Sequence, residues 1–272
     1  MKIKSLVFNV AVAAGAFAAG SASAAGFALQ NQNGAGTGNA FAGAAAAAED
    51  ASTVYFNPAG MLLLPKGHNI TGAVTFLERS VEFSDRGTAR LGPFALGSDG
   101  GDGGSLAIVP AAYWSYSVTP DLAVGVGVGP TFGNKTEFDR DFIGRFSGYF
   151  AEIKQININP SLAYKLNDMV ALGFGLNFAK NETEFQQMAP LAAGFPIGVP
   201  VSIKGDDTAF GWNAGVMIQA TPATRVGVAY RSELSFDLKG TQAITGGPTF
   251  DVKAKLKTPD QFSLGVHHAV DS

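Results

Sequence analysis

The chain has 272 residues, of which 46% are hydrophobic and only 15% charged, with 35 glycines and no cysteine. The formal net charge of −3 offers no basic face to a nucleic acid, and the lack of cysteine removes disulfides, thiolate metal sites and a cysteine nucleophile. So much glycine with so little charge is unusual for a soluble enzyme.

The N-terminus carries Lys2 and Lys4, then an apolar run from Leu6 to Ala19 broken only by Asn9, then Ala22-Ser23-Ala24. That order is a secretory signal peptide over residues 1–24, with cleavage expected after Ala24. A membrane anchor is the competing reading, but the apolar run is short for a span. No later stretch is apolar enough for a transmembrane helix, so any membrane crossing falls to strands.

Residues 25–66 do not alternate. Asn33-Gly34-Ala35-Gly36-Thr37-Gly38 is flexible, Ala40 to Ala48 favours a short helix, and Asn57-Pro58-Ala59-Gly60 is a turn signal. A disordered exported tail is the plain alternative. Val54-Tyr55-Phe56 and Met61-Leu62-Leu63-Leu64 are too apolar to stay comfortably solvated. A compact plug, or hatch, inside a barrel accounts for both the position and the composition.

From residue 67 onward the chain alternates with period two, the mark of strands with two different faces. Eight strands are expected, at about 68–83, 106–118, 121–135, 150–166, 169–182, 209–220, 224–239 and 252–268. In the seventh, Val226, Val228, Tyr230, Leu234, Phe236 and Leu238 are expected to share one face. Tight connections at Thr119-Pro120, Asn167-Asp168 and Thr221-Pro222-Ala223 alternate with long ones at about 84–105, 136–149, 183–208 and 240–251. A sandwich also alternates. Strands of about ten residues or more, small and polar residues on the second face, aromatic residues near strand ends and strictly alternating loop lengths favour a membrane barrel.

Several stretches carry a family resemblance: Ala25-Gly26-Phe27, Glu49-Asp50-Ala51-Ser52-Thr53-Val54-Tyr55-Phe56-Asn57-Pro58-Ala59-Gly60, Gly133-Asn134-Lys135-Thr136-Glu137-Phe138, Ile156-Asn157-Ile158-Asn159-Pro160-Ser161-Leu162-Ala163-Tyr164, Gly211-Trp212-Asn213-Ala214-Gly215 and Tyr230-Arg231-Ser232-Glu233. In that order the chain resembles the FadL-type outer-membrane transporters for long-chain fatty acids and aromatic hydrocarbons. The resemblance implies an all-β fold, an antiparallel transmembrane β-barrel of about fourteen strands with an N-terminal hatch. The expected division is signal peptide 1–24, hatch 25–66 and barrel strands 67–272, with about eight of the strands present and the barrel incomplete. A closed barrel of about eight strands would have its lumen filled by side chains, leaving no room for such a hatch.

The same resemblance implies passive uptake at the outer membrane of a Gram-negative bacterium. Capture occurs at extracellular loops, the hatch rearranges, and substrate exits sideways through a kinked third strand. The kink falls on Gly129, Pro130, Phe132 and Gly133, where proline lacks a ladder N–H; the plain alternative is a strand that ends at Pro130. Asn57, Pro58 and Ala59 match the hatch turn beside the opening, and Phe27 is either a pocket residue or a frayed end. Leu191, Phe195, Ile197 and Val199, in the apolar stretch Met188 to Val201, would form an outer groove with Ile244 and Phe250. Lys180, Lys204, Arg231 and Lys255 are candidate partners for a substrate carboxylate, Arg231 equally a structural ion-pair residue. Glu184-Phe185-Gln186-Gln187 stands where the family can carry basic residues, which raises neutral aromatic hydrocarbons as the alternative cargo.

Expected partners are hydrophobic small molecules, outer-membrane lipid and the barrel-assembly machinery. No nucleic acid, metal or cofactor is implied, and no enzyme. His68, His267 and His268 are the only histidines and lack catalytic or metal-ligand spacing. Gly125-Val126-Gly127-Val128-Gly129 lies within a strand with no following helix, unlike a phosphate loop. Ser98-Asp99-Gly100-Gly101-Asp102-Gly103-Gly104 is a weak calcium candidate and more simply a mobile loop. A general diffusion porin, an adhesin-like barrel and a secreted soluble β-protein remain rivals.

Overall fold

Alternating side chains become paired strands wherever both faces find their own medium. The computed structural model of the chain describes residues 28–87, 96–190 and 198–270; the expected signal peptide, Phe27, Leu191, Phe195 and Ile197 lie outside them. The strands are β1 His68–Leu77, β2 Ala107–Thr119, β3 Leu122–Glu137, β4 Phe150–Lys165, β5 Val170–Pro190, β6 Gly198–Thr221, β7 Thr224–Arg231, β8 Leu234–Ile244, β9 Thr249–Thr258 and β10 Gln261–His268. They form one sheet in the order β1-β2-β3-β4-β5-β6-β7-β10, with β8 paired to β6 and β9, every pair antiparallel. The eight expected passes are all present. The seventh is divided into β7 and β8, and the eighth into β9 and β10.

On β4, Gln155, Asn157, Asn159, Ser161 and Ala163 are buried while Ile156, Ile158, Leu162 and Tyr164 are exposed. The same division gives an outward band containing Ile70, Val74, Phe174, Phe178, Phe210, Phe262 and Leu264, all exposed. Ile70 reaches 79% exposure and Phe210 70%, which in water would be an aggregating surface and in a bilayer is the lipid-facing one. Among the described residues no helix is long and apolar enough to cross a membrane.

β5 has 21 residues and β6 has 24, far beyond the ten or so that a crossing needs. Past Phe178 and Phe210 the exposed residues turn from apolar to Lys180, Glu182, Lys204 and Asp206, so these strands continue above the hydrocarbon layer. The expected long connections at 183–208 and 240–251 are therefore mostly paired strand. β5 and β6 pair up to Pro190 with Gly198, and β8 and β9 up to Ala243 with Thr249.

The seventh pass does not keep one apolar face. Between the pairs Asn213–Arg231 and Asp206–Lys239 the β7–β8 side has one residue more than β6, a bulge centred on Ser232 and Glu233. Before it, Val226, Val228 and Tyr230 face outward. After it, Leu234, Phe236 and Leu238 turn inward and are buried with Ala179 and Ala209. Across the strand pair, Pro259 and Asp260 break the partner strand at the matching height.

Residues 28–66 cover the inner face as α1 Gly34–Gly38, α2 Ala44–Ala47, α3 Thr53–Phe56 and a 3-10 helix Pro58–Leu63. This segment touches β2 through β7 and also β10, so the sheet curls around it. Glycine on the wall makes the close fit possible. A Cβ on Gly173 would sit 2.2 Å from the Ala59 nitrogen, on Gly215 2.0 Å from Asn57 Oδ1, and on Gly227 1.9 Å from the Ala45 oxygen. Val54 and Met61 fill the remaining contact against Tyr113, Ala123 and Ala163.

Candidate lateral opening

Pro130 has no N–H to give to a ladder, and the wall changes character around it. Pairing of β2 with β3 stops at Ala112–Val128. β2 nevertheless stays paired with β1 as far as Ala107, and β3 with β4 as far as Glu137. Residues 107–111 and 129–137 therefore bound a gap in the wall. On the β4 side Pro130 pairs with Ile156 and Phe132 with Gln155, leaving Thr131 as a bulged residue. The strand does not end at Pro130; it runs on past the bulge to Glu137.

The first described residues close the gap from inside. Ala28 bridges Phe132, and the Leu29 N–H donates to the Thr131 carbonyl at 3.0 Å. Gln32, fully buried, donates from Nε2 to the Pro130 carbonyl at 3.0 Å and accepts the Tyr113 hydroxyl proton at Oε1. One side chain thus joins β2 to β3 where the ladder is missing. The upper rim is framed by Arg79, whose guanidinium donates to Asn134 Oδ1 and, at 2.8 Å, to the Lys135 carbonyl. The Glu137 N–H adds a 2.9 Å bond to the Gly103 carbonyl.

Around this interruption lies a cavity of about 950 Å³, within the range of sites that take small organic ligands. Leu77, Leu106, Ile108, Val128, Phe132 and Ile156 give it an apolar lining. The other expected strand residues, Gly129, Pro130 and Gly133, also line it.

Asn57, Pro58 and Ala59 lie elsewhere, against β5, β6 and β7. Asn57 Nδ2 donates to the carbonyls of Ala45 at 2.8 Å and Val216 at 3.1 Å, while its Oδ1 caps the Ala59 N–H. The structure does not bring this turn and the β3 interruption together. Arg231 points inward and is committed to the protein: it donates to Asn177 Oδ1 and to the Tyr55 carbonyl at 2.9 Å, and stacks 4.6 Å over the Tyr55 ring. Burial pushes the Tyr55 phenol above its ordinary value, and the Arg231 charge pulls it the other way. Lys180 faces outward, paired with Glu182 at 2.6 Å; Lys204 pairs with Glu184 and Lys255 with Asp237. Val199 lies in the β5–β6 hairpin opposite Ala189, and Phe250 opposite Gln242, half exposed.

Behind the opening the inner wall is an amide network. Asn157 donates to Asn177 at 2.9 Å, Asn159 to Asn213 at 2.8 Å and Gln155 to Thr131 Oγ1 at 2.7 Å. The resulting site is a mainly apolar gap with Arg79, Lys135, Glu152 and Lys154 also in its lining and neutral amides behind it, and no cluster among the described residues could hold a metal.

A family profile described as outer membrane protein transport protein (OMPP1/FadL/TodX) matches residues 15–272. The chain belongs to this family. Among curated relatives, outer membrane protein P1 of Haemophilus influenzae is 29% identical over 82% of this chain and 58% of its own length. A 47 kDa outer membrane protein of Pasteurella multocida is 33% identical over 71% of this chain and 46% of its own length. The long-chain fatty acid transport protein of Salmonella typhi is 28% identical, over 82% of this chain and 57% of its own length. The chain therefore spans about half the length of the curated relatives it matches. Among solved structures, a Pseudomonas aeruginosa FadL homologue superposes with a TM-score of 0.72 at 23% identity, covering 90% of this chain and 66% of that one. The toluene transporter TbuX of Ralstonia pickettii gives 0.54 at 16% identity, covering 81% and 64%. These likenesses confirm the outer-membrane barrel fold, of which this chain supplies a curled, incomplete wall. As a member of the family, the chain is an outer-membrane protein.

Proposed function

We propose that the protein carries hydrophobic small molecules, long-chain fatty acids foremost, passively across the outer membrane and releases them sideways through the β2–β3 gap. Residues 28–66 act as the hatch, and its first residues are the part that must withdraw. The observation behind this reading is the apolar cavity at a wall interruption closed by Ala28, Leu29 and Gln32 instead of by a strand. The fatty acid transport relative and the likeness to a toluene transporter support an apolar cargo.

The test uses the paired residues Ala28 and Phe132. In cells expressing the full-length protein, an A28C/F132C double variant oxidised to a disulfide should lose labelled oleate uptake, and reduction should restore it. Uptake unchanged by the cross-link would overturn lateral release, and small-sugar flux without oleate flux would favour a diffusion porin.

A further inference from the structure

We infer that Arg79 is the carboxylate-binding group of the lateral opening, holding an anionic, long-tailed substrate head-up at the upper rim. The inference rests on the proposed use of the gap and adds to it the class of head group that the gap selects.

Four charged side chains line the cavity: Arg79, Lys135, Glu152 and Lys154. Two of the three cations are neutralised locally, Lys135 by Glu137 at 2.8 Å and Lys154 by Glu152 at 3.0 Å. Arg79 has no carboxylate partner among the described residues. Its terminal nitrogens are held by two neutral acceptors, Asn134 Oδ1 and the Lys135 carbonyl, which fix the guanidinium without cancelling its charge. Its Nε is buried and makes no hydrogen bond. The two neutral acceptors take one N–H from each terminal nitrogen, and each of these nitrogens keeps a second N–H for an incoming acceptor. Carboxylate is the natural match, since guanidinium binds it through charge-assisted and often bidentate hydrogen bonds.

Position supports the same occupant. Val74 and Phe76 are the last exposed apolar residues of β1, and Arg79 follows just beyond the strand end at Leu77. The guanidinium therefore sits just past the apolar face of β1, with the apolar cavity lining below it. A carboxylate at Arg79 would place its hydrocarbon tail along Leu106, Ile108 and Phe132, in the orientation of a lipid in the outer leaflet. A neutral hydrocarbon could fill the same volume and would leave Arg79 without an acceptor.

The experiment compares oleate with oleyl alcohol, whose tail is the same and whose head is neutral, by equilibrium binding to the full-length protein in detergent. Three proteins are needed: wild type, R79Q, and V128W, which fills the cavity. Retention of heat-modifiable gel mobility certifies folding, and R79K, which keeps the charge without the fork, replaces R79Q if that variant does not fold. The expected result is an oleate affinity lower by about tenfold or more in R79Q, with oleyl alcohol unchanged. Equal weakening of both ligands would make Arg79 a rim-shaping residue and overturn the inference. If R79Q binds oleate as wild type does while V128W loses both ligands, the inference fails and the opening stands. If V128W loses neither, the opening itself is not the binding site and the inference falls with it.

Discussion

Asn57 shows how a single residue fixes the N-terminal segment, residues 28–66, to the wall. Its amide nitrogen is shared between the carbonyl of Ala45 in that segment and the wall carbonyl of Val216, and its oxygen caps the following 3-10 turn. Removing it strands buried acceptors, so Asn57→Ala should cost about 1–3 kcal/mol in a reversible denaturant titration in detergent micelles. Gly215, whose Cβ would strike Asn57 Oδ1 at 2.0 Å, is the complementary test: Gly215→Val should release the same contact from the wall side. Amide exchange of residues 44–60 should rise in both variants. Asp102 offers a pH-dependent case among the loops. The N–H groups of Val81 and Gly104 donate to its Oδ1 at 2.7 and 2.8 Å and hold its carboxyl below the ordinary aspartate range. A depressed carboxylate contributes above its unfolded-state pKa and loses the contribution as pH falls through the folded-state value. Exchange protection at Val81 and Gly104 should therefore persist below the ordinary aspartate range and disappear as pH falls further. Asp102→Asn should show no such step.

Strands were legible in this sequence because lipid and lumen ask for opposite residue types, and period two records that demand residue by residue. The β3 interruption was legible for a related reason, since proline and glycine punctuate a ladder wherever they stand. The inward turn of β8 was not. Val226, Val228, Tyr230, Leu234, Phe236 and Leu238 are all at even positions, so counting runs unbroken through Ser232 and Glu233. The bulge reverses the faces there, but apolar residues are wanted on both sides of it. Below, they meet lipid; above, they meet Ala179 and Ala209. Parity cannot reveal a switch that the hydrophobic pattern does not mark. Single-cysteine variants make the difference measurable: a maleimide should label Ser235→Cys and Asp237→Cys readily and Phe236→Cys hardly at all. Deleting Glu233 should invert that order. Arg79 escaped notice for another reason, because it belongs to no motif and its partner Asn134 is brought to it only by the fold.

At the scale of the whole molecule, the outer face should report where the bilayer begins and ends. The apolar band stops near Phe178, Phe210, Tyr230 and Phe262, and the ion pairs Lys180–Glu182, Lys255–Asp237 and Lys257–Glu233 stand beyond it. At the other margin His68, Trp114 and Tyr116 stack, with the Trp114 indole donating to His68 Nδ1 at 3.1 Å, as an interfacial girdle would. Because the chain has no cysteine, spin labels can be introduced one at a time without competing thiols. In liposomes, labels at Ile158, Leu176 and Leu264 should favour collisions with oxygen, which concentrates in hydrocarbon, over a water-soluble nickel chelate. Labels at Lys180 and Lys255 should reverse that preference, and one at Asn177, buried on the inner face, should meet neither reagent freely. Nickel access at Leu264 equal to that at Lys255 would remove β10 from the lipid boundary. The wall would then have to turn away from the bilayer after β7, and the upper hairpin could no longer be a continuation of the same barrel surface.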